Sequence, residues 1–120
     1  MDQSNYVILP QSSFSPFITT STIKEFIPSE KDIQHSIEIL SAFLEHRTEI
    51  LELREYKIQF SGYINETGEK IIRANYFCNA IDIDWKNTPV LVKGGGNCFF
   101  NVKVNLDKKD VFDFIVNARK

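Results

Sequence analysis

Little in this chain announces an activity. Two cysteines, two histidines, one tryptophan and one methionine are spread over 120 residues. No uninterrupted apolar run reaches the ~18 residues that cross a bilayer, so no membrane association is expected. Basic and acidic residues nearly balance, 14 against 16 for a net charge of -2. Without a global positive field, nucleic acid is not an expected partner. The opening stretch, MDQSNYVILPQSSFSPF, has neither the basic start nor the long apolar core of a secretory signal, and the expectation is a cytoplasmic protein.

The scarce residues are also badly spaced for chemistry. His35 and His46 stand eleven positions apart in a helical stretch, about 16 Å at a helical rise. One ion cannot bridge them, and both fall opposite the apolar stripe, as solvent-facing histidines do. Cys78 and Cys98 match no zinc spacing and occupy inward strand positions, so they read as reduced core thiols rather than a site or a bridge. A catalytic thiolate needs a base or a positive field beside it, and neither histidine shares that face. Asp82 and Asp84 are too few carboxylates for a calcium loop. No catalytic residue, metal or cofactor is therefore expected.

What is present is a globular pattern, 42% hydrophobic and 25% charged, long enough for one core that needs no disulfide. Residues 1–27 form a Ser/Thr-rich arm with Phe14, Phe17, Ile18, Ile23, Phe26 and Ile27, too apolar for a solvated linker and expected to be partly ordered. Residues 28–120 form a single α+β domain. Ser29 and Asp32 have the spacing of a capping box. Ile33, Ile37, Leu40, Leu44 and Leu51 then recur at helical intervals, predicting one amphipathic helix that ends between Arg47 and Arg54.

From Tyr56 the period becomes two. Ile58 and Phe60 alternate with Lys57, Gln59 and Ser61, and NETGE supplies a turn into Ile72, Ala74 and Tyr76. Residues 79–89 read as a connection and 90–93 as a short strand. Phe100, Val102, Val104 and Leu106 line a longer strand, and DKKD turns it into a last one whose Phe112, Phe114 and Val116 alternate inward. The triplet Gly94, Gly95 and Gly96 precedes a strand rather than a helix and lacks a following Lys-Ser/Thr, so it reads as a hairpin turn and not as a phosphate cradle. One helix packed on a curved antiparallel meander gives a two-layer fold.

The segments YKIQFSGYINETGEKIIRANYFCN and GGGNCFFNVKVNL resemble a group of small uncharacterised bacterial proteins, and the order of elements resembles the cystatin-like fold. The resemblance covers roughly the C-terminal half and implies fold rather than activity. Cystatin inhibitors carry Gln-x-Val-x-Gly in a hairpin loop. Here Gln59 and Gly62 lie three apart inside a strand, so that mode of protease inhibition is not supported.

The face opposite the helix is the informative one. With Ile72, Phe100 and Phe114 inward, Tyr63, Arg73, Asn75, Phe77, Phe99, Asn101, Lys103 and Ile115 point outward. Rings mixed with Arg, Lys and Asn have the composition of an interface, and Trp85 in the connection is a candidate aromatic anchor. Either these rings are an interface patch or the apolar arm covers them, in part or whole. The expected partner-binding set is Tyr63, Arg73, Asn75, Phe77, Trp85, Phe99, Asn101 and Lys103. The expected function is a non-enzymatic protein-binding domain with an inhibitor or toxin-neutralising (immunity) role, binding a protein partner or a second copy of itself. The alternative is a small-molecule or enzymatic pocket of the cone-shaped α+β type.

Overall fold

The computed structural model describes residues 5–10, 24–45, 47, 56–78, 84–90 and 94–117. Its elements run β1 (Tyr6–Ile8), β2 (Lys24–Glu25), α1 (Glu30–Leu44), β3 (Lys57–Ile64), β4 (Lys70–Phe77), β5 (Phe99–Asn105) and β6 (Asp110–Val116). The helix starts where the capping box places it. The Asp32 N–H donates to Ser29 Oγ at 3.1 Å and the Ser29 N–H to Asp32 Oδ2 at 3.0 Å. Two early amide donors are thereby satisfied.

The helix stops at Leu44, short of the predicted range. Its last turn tightens through an i→i-3 bond from the Glu45 N–H to the Ala42 carbonyl, and Arg47 repeats that pattern onto Leu44. The guanidinium of Arg47 then lies over the Phe43 ring, 4.3 Å from its centroid. Leu51 and His46 lie outside the described residues.

Six strands form one open, mixed sheet in the order β1-β3-β4-β5-β6, with β2 on β3. The meander from β3 to β6 is antiparallel. The short turns that join β3 to β4 and β5 to β6 require it there, whereas β4 and β5 are joined by the long connection between Phe77 and Phe99. A departure from the expected all-antiparallel sheet lies at the β3 edge. There β1 pairs in parallel, Tyr6 opposite Ile58 and Ile8 opposite Phe60, because the intervening chain includes the helix and can make the crossover that a parallel pair needs. Both ends of the arm thus belong to the sheet. β2 also explains Gly62: a Cβ there would meet the Phe26 carbonyl oxygen at 2.6 Å, and the Phe26 N–H donates to the Gly62 carbonyl.

The core lies between α1 and one sheet face. Ile33 and Leu40 meet Ile58, Phe60, Ile72, Tyr76, Phe100 and Val102 in one cluster. Tyr76 stacks on Phe100 at 4.5 Å, and Tyr56 stands edge-on to both. Burial pushes the Tyr76 phenol well above its usual range. The Tyr56 hydroxyl leaves the core by donating to the Asn97 carbonyl. Among the described residues no helix is long and apolar enough to cross a membrane.

Three sequence expectations fail here for identifiable reasons. Cys78 and Cys98 are disulfide-bonded, with Cα atoms 5.0 Å apart, and are not reduced core thiols. β4 ends at Phe77 and β5 begins at Phe99, so both cysteines fall just past the strand ends, where alternation no longer points a side chain inward. Next, the glycine triplet does not turn a hairpin. Its three residues all have positive φ (81°, 85° and 63°) and lead into a short 3-10 turn, Gly96–Cys98. β4 and β6 occupy the two sides of β5, which leaves no place beside it for a strand from the preceding segment. Of the residues expected in that strand only Val90 is described, and it is in no strand.

The third concerns β6. Phe112 does not alternate inward with Phe114 and Val116. A register shift lies between the pairs Asn101–Ile115 and Lys103–Phe112, and the extra residue turns both Phe112 and Asp113 away from the helix. Asp113 takes φ of 50°, a left-handed conformation that Asp tolerates better than branched residues. Phe114 recovers the core side against Phe43 and Phe100.

Candidate binding surface on the outer sheet face

Strand register arranges the face away from α1 in rows. Lys57, Phe77 and Phe99 form one row, and Gln59, Asn75, Asn101 and Ile115 the next. Ser61, Arg73, Lys103 and Phe112 form a third, followed by Tyr63, Ile71, Asn105 and Asp110. The seven sheet residues expected in a partner-binding set are therefore on one face. They do not share one environment.

The half built on β3 and β4 is closed. Residues 84–90 lie over its Gln59, Asn75 and Phe77, beginning in a turn where the Asn87 and Thr88 N–H groups donate to the Asp84 carbonyl. Gln59, fully buried, is the anchor. Its Nε2 donates to the Trp85 and Thr88 carbonyls at 2.6 Å each, and its Oε1 accepts from the Val90 N–H at 2.8 Å and from Asn75 Nδ2 at 3.1 Å. Asn75 Nδ2 also donates to the Val90 carbonyl at 2.7 Å. Two sheet amides thus satisfy the backbone of the covering segment, as buried polar groups must be satisfied. Trp85 stands edge-on to Phe77 at 5.6 Å, with the Lys57 and Lys86 ammonium groups 5.8 and 5.4 Å from its ring centroid. Phe77 and Asn75 are buried beneath this cover, and Tyr63 is buried as well; none of the three presents a ring or an amide to solvent. Trp85 is half-buried against the sheet rather than projecting from a loop.

The half built on β5 and β6 is open. Ile115 is 60% and Phe112 36% exposed. Between them the Lys103 ammonium meets Asp113 Oδ2 at 3.1 Å and lies 5.8 Å from the Phe112 ring centroid. Arg73, Asn101, Lys103, Asp113 and Ile115 line a cavity of about 240 Å³. Burial lowers the Arg73 pKa while the nearby Tyr63 opposes that shift, and the guanidinium stays charged. Phe99 is half-buried beside Gly95, where a Cβ would meet its ring at 2.5 Å.

No group of three or more His, Cys, Asp or Glu that could hold a metal occurs among the described residues. His35 is on α1, across the core from this face. Asp84 accepts from the Asn87 side chain within its own turn, and Asp82 lies outside the described residues. Apolar side chains around an ion pair, on a ledge of sheet, are suited to non-covalent contact. No protein-family model, curated protein or solved structure matches this chain.

Sequence reasoning missed three residues that shape this surface. Asp113 and Phe112 are placed by the β-bulge, for which the only local hint is an aspartate at a position that must adopt positive φ. Gln59 was legible as outward-facing, but its role depends on a segment about thirty residues later, which no local pattern encodes.

Proposed function

We propose that this chain is a non-enzymatic protein-binding domain working through the open half of its outer sheet face. The observation that carries the reading is the clustering of exposed Ile115 and Phe112 around the Lys103–Asp113 pair, on a rigid sheet beside a cover that closes the rest of that face. Apolar and aromatic groups among fixed charges are what protein interfaces use. Arg73 and Asn101 extend the surface toward the covered half. The helix packed on an antiparallel meander among the described residues supports the cystatin-like reading, and an inhibitor or toxin-neutralising (immunity) role in a bacterial protein is the form of binding this reading favours. That role rests on analogy of architecture, since a fold alone does not fix a function.

The disulfide bears on compartment. Such bonds persist where thiols are not kept reduced, which favours an oxidising compartment over the cytoplasm. For the rival reading, a small-molecule pocket, the cavity of about 240 Å³ falls below the roughly 300–1,000 Å³ of most ligand sites. The test is capture of partners from the native host by the wild-type chain and by a Phe112→Ser/Ile115→Ser variant that melts cooperatively. A partner held by the former and lost by the latter supports the surface, and equal capture by both rejects it. Light scattering of the two proteins identifies the case in which the partner is a second copy.

A further inference from the structure

We propose that Cys78 and Cys98 are a reversible dithiol/disulfide couple that opens and closes within the folded protein, a thiol–disulfide exchange site for dithiol reductants. This is independent of the binding surface above. Three observations carry it. Cys78 is exposed and Cys98 half-buried, and exchange requires that an incoming thiolate reach a sulfur. Neither cysteine belongs to the hydrophobic core cluster, so the bond fastens no core side chain.

The third observation is that the fold holds the two residues together by other means. Their neighbours Phe77 and Phe99 are register partners at the end of the β4–β5 ladder. The Cys78 N–H donates to the Cys98 carbonyl at 2.8 Å, and the Asn97 carbonyl is held by the Tyr56 hydroxyl. A disulfide stabilises chiefly by closing a loop in the unfolded chain. In the folded chain the ladder has closed that loop already, and the freed thiols remain neighbours.

The exchange balances as follows. A thiolate of the reductant attacks Cys78 Sγ, forming a mixed disulfide and expelling Cys98 as a thiolate, which takes a proton. The reductant's second thiolate then attacks its own sulfur in the mixed disulfide and expels Cys78, which is protonated in turn. Two electrons and two protons pass to the protein, and the reductant leaves as its disulfide. Oxidised glutathione reverses the change, giving the closed bond and two glutathione thiols.

The experiment uses the full chain, dithiothreitol as reductant, iodoacetamide to trap thiols and mass spectrometry to count them. The expected result is no alkylation before reduction and alkylation of both cysteines after dithiothreitol in native buffer. The reduced protein should still unfold cooperatively, with the emission of Trp85, the only tryptophan, well away from its value in urea. With oxidised glutathione, the mixed disulfide should collapse to the protein bond on the order of 100-fold faster in native buffer than in urea. A Cys78→Ser/Cys98→Ser variant should also fold cooperatively. Alkylation without reductant, a bond that yields to dithiothreitol only in urea, equal closure rates in the two solvents, or a reduced protein or double variant that does not fold would each overturn the proposal.

Discussion

The two halves of the outer sheet face invert the usual arrangement of a soluble surface. Over β3 and β4 the side chains include amides, Gln59 and Asn75, and these are buried. Over β5 and β6 they include an isoleucine and a phenylalanine, and these are exposed. A surface selected for stability alone would hide the apolar groups and hydrate the amides. The buried amides are accounted for inside the chain, since the Gln59 side chain donates to the covering segment and accepts from it and from Asn75. Among the described residues the exposed apolar pair has no such account. One half is therefore structural, and the other is the half on which the proposed binding function rests.

If the covered half is structural, its removal must be expensive. Phe77→Ala takes out a fully buried ring and the support of Trp85. We expect a loss of about 3–5 kcal/mol in urea unfolding, with Trp85 emission in the native state shifted toward that of hydrated indole. A loss near that of a surface substitution would mean that the cover does not rest on this ring.

Gln59→Ala is expected to rank next, at about 2–3 kcal/mol. The deletion leaves the Val90 N–H, two carbonyls of the cover and one side of Asn75 without their present partner, and a buried group stripped of its bond costs more than a bond contributes on average. Gln59→Glu separates bonding from volume. It keeps the acceptor for Val90 but loses the donors to Trp85 and Thr88, so hydrogen exchange at the Val90 amide should remain slower than in Gln59→Ala.

How much of this was legible in the sequence depends on how far apart the interacting residues are. The alternation of Ile58 and Phe60 with Lys57 and Gln59, and of Ile72, Ala74 and Tyr76 with Arg73 and Asn75, assigned each side chain to a face, because a strand's period is local. The Ser29–Asp32 cap was legible for the same reason. The parallel pairing of β1, the bond between Cys78 and Cys98 and the burial of Gln59 all join segments far apart in the chain. The β-bulge at Asp113 is local, yet it breaks the period on which the reading of β6 depended, and Phe112 was placed on the wrong face as a result. Outward orientation could be read, whereas outward exposure depended on a cover that has no pattern of its own.

The smallest expected effect is the sharpest test of the contrast between the halves. Ile115→Ser removes a side chain that is 60% exposed, so its burial contributes little and stability should change by no more than about 0.5 kcal/mol. Phe112, 36% exposed, is partly covered by the sheet, and Phe112→Ser should cost on the order of 1–2 kcal/mol. Lys103 and Asp113 are also accessible, and their pair has the modest worth of a surface ion pair. Near-silent stability of Ile115→Ser together with lost partner capture would place the role of this residue outside the folding of the chain. A penalty of about 2 kcal/mol for Ile115→Ser would instead mean that Ile115 is covered in solution by some part of this same chain. The inverted pattern would then be one more piece of its packing, and the open half would cease to be a binding surface.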